Sequence, residues 1–186
     1  MSTAELIDAI LADIGGALKR VDPAQIDALQ RAILSARRVF IAGKGRTGLQ
    51  MRAFAMRLMH LGLAVHVVDD VTAPAIGRGD LLLVGSSSGR TRSLVGAVES
   101  LAGTGLSLAA ICGNLDSPIA HAVDSLVYIP ATNFKANGGS GDESVLVMGA
   151  LFEHCLGLTC DLLVIRLKEA LGVDERDMNA RHANIE

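Results

Sequence analysis

The chain has no tryptophan and one tyrosine among its 186 residues, and only 3% of it is aromatic. The stacking platforms that hold unpaired bases are therefore missing, and a formal net charge of -3 offers no basic field to a phosphate backbone. Nucleic acid is not an expected partner. Cysteine is scarce too. Cys112, Cys155 and Cys160 form an odd set without metal-ligand spacing, and the last two fall in an apolar segment, so packed thiols in a reducing cytoplasm are expected rather than a disulfide framework. Long hydrophobic runs are also absent: mean hydropathy is +0.40, yet charges interrupt every apolar stretch before the roughly 18 residues that a membrane span needs. The opening Met1-Ser2-Thr3-Ala4-Glu5 has neither the basic flank nor the apolar block of a signal peptide, and export is not expected.

What is present is apolar content, 50% of the chain, enough for one well-buried core. A single domain over 1–186 is the expectation. Leu6, Ile7, Ile10, Leu11, Ile14 and Leu18 recur at helical spacing. Asp22-Pro23 then reads as an N-cap and first-turn proline for a second helix through Ile26, Leu29 and Ile33, giving a helical segment over 1–36. Five short runs rich in β-branched residues follow, Val39–Ala42, Val65–Val68, Leu81–Val84, Leu108–Cys112 and Leu126–Ile129. Helical patterns separate them at 49–61, 91–102 and 118–122, while 68–81 is too broken by Pro74, Gly77 and Gly79 to assign. Such alternation predicts an α/β fold with a five-stranded parallel sheet, helices on both faces, and a ligand site beyond the strands' carboxyl ends. Residues 131–144 read as a loop, 144–171 as one long helix, and 174–186 as a charged tail.

Two loops have the chemistry of anion sites. Gly43-Lys44-Gly45-Arg46-Thr47-Gly48 joins a strand to a helix, where glycines let the backbone approach a phosphate and the helix start supplies free N–H groups. It is also a literal G-x-G-x-x-G, with Asp69 and Asp70 at the place of a ribose-binding acid, so a dinucleotide site is a rival reading. Against it, two mononucleotide halves would consume most of the chain and leave no substrate domain. A second loop, Gly85-Ser86-Ser87-Ser88-Gly89-Arg90-Thr91, concentrates hydroxyls and N–H donors after a different strand. An ordinary Ser/Gly turn with Thr91 as helix cap is its alternative.

Proton-transfer candidates are few. Glu153 follows the apolar run 145–152 and has Gly149 and Gly157 one turn before and after it on the same helix face, a gap that could admit a ligand beside the carboxylate. A structural glutamate ion-paired with an arginine remains open. His60 ends a helical pattern beside Gly62, an ordinary structural position, and His182 lies in the terminal tail. His66, His121 and His154 have no comparable context, and Met51, Met56 and Met59 suit packing.

The order of these pieces resembles the sugar isomerase (SIS) domain family, and within it the 6-phospho-3-hexuloisomerases, over nearly the whole chain. The resemblance rests on the glycine loop at 43–48, Phe54-Ala55-Met56-Arg57-Leu58-Met59-His60-Leu61-Gly62, Thr72-Ala73-Pro74, Gly79-Asp80-Leu81-Leu82, the serine loop at 86–91, Met148-Gly149 with Phe152-Glu153, and the ending Arg181-His182-Ala183-Asn184. It implies a flavodoxin-like three-layer sandwich and cofactor-free, metal-free interconversion of D-arabino-hex-3-ulose 6-phosphate and fructose 6-phosphate through an enediol. It further implies a homotetramer and a pathway link to hexulose-6-phosphate synthase. Another aldose–ketose phosphate isomerase of this fold and a non-catalytic sugar-phosphate-binding protein are the alternatives. By the same resemblance Glu153 is the catalytic base, and the tail reaches an active site, so that one of the two histidines, His182 in preference to His60, handles oxygen protons or ring opening. Gly45, Arg46, Thr47, Ser86, Ser88 and Thr91 are then the substrate and phosphate contacts. Two departures stand out: Ser87 replaces a usual glycine, and residues 133–147 replace a shorter approach to Met148.

Overall fold

Alternate residues of β1 (Val39–Gly43) serve two different cores: Val39 and Ile41 join one apolar cluster, Phe40 and Ala42 the other. A strand whose two faces are both buried belongs to the middle of a sheet covered on each side. The computed structural model describes residues 1–131 and 144–185. Most of the loop read from the sequence at 131–144, and most of the departure at 133–147, lie outside these.

The remaining strands are β2 (Val65–Val67), β3 (Leu81–Ser86), β4 (Ser107–Cys112) and β5 (Ser125–Tyr128). They form one all-parallel sheet in the order β2-β1-β3-β4-β5. Chain order reverses at β1, whose neighbours are β2 on one side and β3 on the other. The connections leaving β1 and β3 therefore depart to opposite faces and open a crevice at their carboxyl ends.

Helices α1 (Thr3–Leu18), α2 (Pro23–Ser35), α3 (Gly45–His60) and α6 (Ala150–Leu171) share the larger core with one sheet face. Helix α4 (Arg92–Leu101) and the short α5 (Pro118–Ala122) cover the other. Caps set several starts. Ser2 and Glu5 form a capping box on α1, and Asp22 accepts from Ala24 N ahead of Pro23 on α2. At the amino end of the sheet the fully buried Asp80 takes Arg38 Nη2 at 2.6 Å, Arg37 Nε at 3.1 Å and Gly77 N at 2.8 Å. The hydrogen bond from Arg38 is the largest reason its carboxyl is held well below the usual range.

Two sequence expectations change, and one segment left unassigned is resolved. The long helix begins at Ala150, not 144, because Met148 (φ 56°) and Gly149 (φ 81°) are left-handed, and Ser144 is instead tied to Asp13 through a 2.6 Å bond. The connection 68–80 has no helix. The tail is not merely a charged extension: α7 (Glu175–Ala180) forms under an Asp174–Asp177 capping box and packs Met178 against the core.

Candidate active site

Backbone proximity builds the floor of the crevice. Gly43 and Gly85 are register partners on β1 and β3, and Met51 of α3 lies so close beneath Gly85 that a Cβ there would stand 2.5 Å from its Cγ. The serine loop is tighter still. Gly89 is left-handed (φ +63°), and a Cβ on it would fall 2.0 Å from Ser117 Oγ, so only glycine lets the β4 connection close on this turn.

The hydroxyls divide in two. Ser86 and Thr47 are buried, and Ser86 Oγ accepts from Gly89 N at 3.1 Å, which shapes the loop and leaves its own proton to donate. Ser88 is exposed, its Oγ accepting from Arg90 N at 3.2 Å. Thr91 stands at the N-cap of α4 without a side-chain capping bond, contrary to the simple helix-cap reading. Asn114 Nδ2 donates to Ser88 O at 3.4 Å, and Arg90 Nη2 donates to Asp116 O at 2.6 Å, so the connection after β4 braces the loop. Sequence reading missed this brace; the Gly113-Asn114 turn was its only local signal.

On the other loop, Gly45 (φ +58°) opens α3 and Arg46 projects from its first turn. Arg46 Nε lies 2.8 Å from Glu153 Oε2, with side chains 63% and 13% exposed. The contact is an ion pair by distance but not an aligned hydrogen bond, and that buried carboxylate oxygen accepts none. The arginine raised as a structural partner of Glu153 is thus a residue of the glycine loop itself. One turn further along both helices, Gln50 Oε1 occupies the gap at Gly157, where a Cβ would meet it at 3.0 Å. The sequence-predicted opening at Gly157 is therefore filled by Gln50, whereas among the described residues nothing lies within 4 Å of the Cβ position of Gly149. The two contacts together mean that α3 and α6 run side by side in the same direction, with their N-termini, the positive ends of the helix dipoles, at the crevice.

Gly45, Arg46, Thr47, Glu153 and the serine loop thus meet at one end. His60 and His182 do not. Fourteen residues separate Arg46 from His60 along α3, roughly 21 Å at the helical rise. There the rings of His60 and His182 stack with centroids 5.2 Å apart, and Arg181 Nη1 donates to His60 O at 3.0 Å, fastening the tail to its own chain. His60 is 2% exposed, and burial, then Arg57, then His182 lower its pKa. Arg57 Nη1 approaches His60 Nδ1 at 3.4 Å; a guanidinium can only donate, which assigns the ring proton to Nε2.

Elsewhere, His66 rests against Phe40, centroids 5.1 Å apart. All three cysteines are free and buried, as expected, and burial pushes the Cys155 thiol up to about 11. Among the described residues no cluster of three or more His, Cys, Asp or Glu stands together as a metal would need, and no helix is long and apolar enough to cross a membrane.

Residues 32–151 match the SIS domain. The 3-hexulose-6-phosphate isomerase of Mycobacterium gastri is 42% identical over 174 residues, 94% of this chain and 86% of its own. The Bacillus subtilis protein of the same name is 34% identical over 186 residues, the full length of both. Among solved structures, a Methanococcus jannaschii protein whose inferred molecular function is 3-hexulose-6-phosphate isomerase superposes with a TM-score of 0.84 at 29% identity, over 98% of this chain and 99% of that one.

Proposed function

The chain belongs to the SIS domain family, and from that premise we propose that it interconverts D-arabino-hex-3-ulose 6-phosphate and fructose 6-phosphate through an enediol. The carrying observation is the placement of Glu153, half-buried and with an unbonded carboxylate oxygen, beside the loops after β1 and β3. The relatives named for this reaction, 42% and 34% identical, fix the substrate to be tried first.

In the forward direction Glu153 removes the proton from C2 while O3, the ketone oxygen, gains one. The resulting 2,3-enediol loses the proton of its 2-hydroxyl as C3 is protonated, which leaves the carbonyl at C2. One base serving both carbons needs no net proton, and a positioned carboxylate contributes about 10²- to 10⁴-fold. Arg46 is exposed enough to turn from Glu153 toward the oxygen that bears the developing charge. Ser88, Thr91 and the donors of Ser86, Thr47 and Gly45 receive the phosphate, aided by the N-termini of α3 and α4. No step calls on a cofactor.

His60 and His182 lie too far along α3 to reach Glu153 of their own chain. A second copy packed with its α3–α6 pair antiparallel to this one would bring its histidines to this Glu153. Leu49 and Met56 on α3, and Leu158, Leu162 and Ile165 on α6, are exposed apolar side chains between the two ends and suit such packing. We assign oxygen-proton transfer to these histidines in a homo-oligomer, a tetramer as two such pairs, each chain acting as one domain. The free, buried thiols suit a reducing cytoplasm, and a hexulose-6-phosphate synthase is the fitting upstream enzyme.

Incubation of the purified protein with D-arabino-hex-3-ulose 6-phosphate, with fructose 6-phosphate read by a coupled assay, tests the assignment. Turnover of this substrate well above that of glucose 6-phosphate or arabinose 5-phosphate is expected; a preference for either aldose phosphate would reassign the enzyme.

A further inference from the structure

Asp69, which the dinucleotide reading would place on a ribose, is engaged elsewhere. Both of its carboxylate oxygens hold the ammonium of Lys44, at 3.0 and 2.8 Å. Lys44 is the N-cap residue of α3, in the loop that also carries Arg46. The next residue, Asp70, takes Arg52 Nη1 at 3.0 Å, two turns up the same helix. Consecutive aspartates just past β2 thus fasten the β2–β3 connection to the crevice half of α3. Because β2 lies on the far side of β1 from β3, Asp69 reaches Lys44 from the side opposite the serine loop.

Among the described residues, Arg46 of the same loop lies against Glu153, and Arg90 of the serine loop donates to a carbonyl of its bracing turn. Lys44 is 43% exposed and Asp69 54%. Exposed ion pairs add little to folding stability, so stability does not account for a two-oxygen grip on one ammonium. An ammonium has three donors and a flexible four-carbon stem. Both oxygens of Asp69 face the ammonium, which holds it in place while leaving donor capacity on the side away from the carboxylate.

We propose that Asp69 is a positioning residue that orients Lys44 as a further contact for the anionic substrate of this crevice. The inference rests on the isomerase reading above. Asp69 does not touch the substrate; it removes the conformational freedom that an untethered lysine would have to lose on binding.

The test compares the unmodified protein with Lys44→Gln, Asp69→Asn, Asp69→Glu and the Lys44→Gln/Asp69→Asn double variant, by calorimetric binding of fructose 6-phosphate and by steady-state kinetics. Lys44→Gln is expected to weaken binding by roughly 10- to 150-fold, the scale of one hydrogen bond to a charged group, with kcat changed less than about threefold. Asp69→Asn should weaken it by roughly 3- to 10-fold, Asp69→Glu should recover most of that, and the double variant should be no worse than Lys44→Gln, because Asp69 acts only through Lys44. Unchanged or tighter binding by Asp69→Asn would overturn the proposal, as would losses in the double variant that simply add. If the unmodified protein binds and turns over its substrate while Asp69→Asn matches it, only this inference falls. If the unmodified protein binds no fructose 6-phosphate, the isomerase reading falls and takes this one with it.

Discussion

His60 and His182 stack with ring centroids 5.2 Å apart and planes inclined by 25°, a contact that joins the tail to the end of α3 remote from Glu153. Among the described residues no carboxylate takes part in it. The neighbouring charges are Arg57 and Arg181, and burial, Arg57 and His182 in that order disfavour a proton on His60.

That environment sets a pH dependence. The folded-state pKa of His60 lies below the ordinary value of 6.5, so between the two the unfolded chain takes up a proton that the folded chain refuses. The stability associated with neutral His60 is complete above about pH 6.5 and is lost as pH falls from there through the folded value. Melting temperatures measured from about pH 8 to pH 5 should decline on the acid side, and His60→Gln should remove part of that slope. Equal slopes in the two proteins would mean that His60 does not titrate against its surroundings.

Beyond that stack and the Arg181 bond, residues 181–185 are exposed, which makes the tail separable from the fold. Removing residues 181–186 deletes His182 and the Arg181 latch but leaves α7, so activity should fall far more than thermal stability. His182→Ala should reproduce most of the kinetic loss without dissociating the assembly. Mixed with Glu153→Gln under subunit exchange, His182→Ala should regain part of its activity, since a hybrid pair contains one site with both groups intact. Sedimentation verifies that hybrids form. Confirmed hybrids without rescue would return His182 to its own chain.

Ser88 is the exposed hydroxyl of the serine loop, and replacing it with alanine removes the donor proposed for the phosphate while leaving the Ser86–Gly89 bond that shapes the turn. Binding of a sugar phosphate should weaken by about 1.5 to 3 kcal/mol, the range for a hydrogen bond to a charged group. Binding of the unphosphorylated sugar should hardly change. Calorimetry with both ligands decides, and equal losses would remove Ser88 from the phosphate site.

Asp80 concerns the scaffold alone. Its carboxylate is fully buried and satisfies Arg38, Arg37 and the Gly77 amide, and its depressed pKa means that the stability it adds is present above the ordinary 3.8 and lost as pH falls below it. Asp80→Asn should cost on the order of 3 kcal/mol, the low end for breaking a buried pair, because both guanidiniums keep some access to water. Urea unfolding at neutral pH measures it, with the active-site loops expected to retain ligand affinity.

Short β-branched runs made all five strands legible in the sequence, and the two Gly/Ser loops marked the crevice, because both signals are local. What the sequence left open depends on contacts between distant segments. It could raise an arginine partner for Glu153, but only the parallel packing of α3 and α6 makes Arg46 that partner. It could see the missing side chain at Gly157 and not that Gln50 fills it. The start of α6 was misplaced because apolar residues continue through 145–148, while the backbone at Met148 and Gly149 turns left-handed. Helix α7 did have a signal, the Asp174-x-x-Asp177 box, but six residues of which only Met178 is a large apolar one carry almost no periodicity.

The most direct test of the account follows deuterium. In heavy water the protein should convert D-arabino-hex-3-ulose 6-phosphate to fructose 6-phosphate, and proton NMR should find the solvent label at C3 of the product and not at C1, because the enediol spans C2 and C3. Glu153→Gln should bind the product with near-parent affinity while both conversion and C3 labelling drop by a factor on the order of 10² to 10⁴. Labelling at C1, or C3 exchange by folded Glu153→Gln at the parent rate, would contradict the assignment of Glu153 as the base of a 2,3-ketose isomerase.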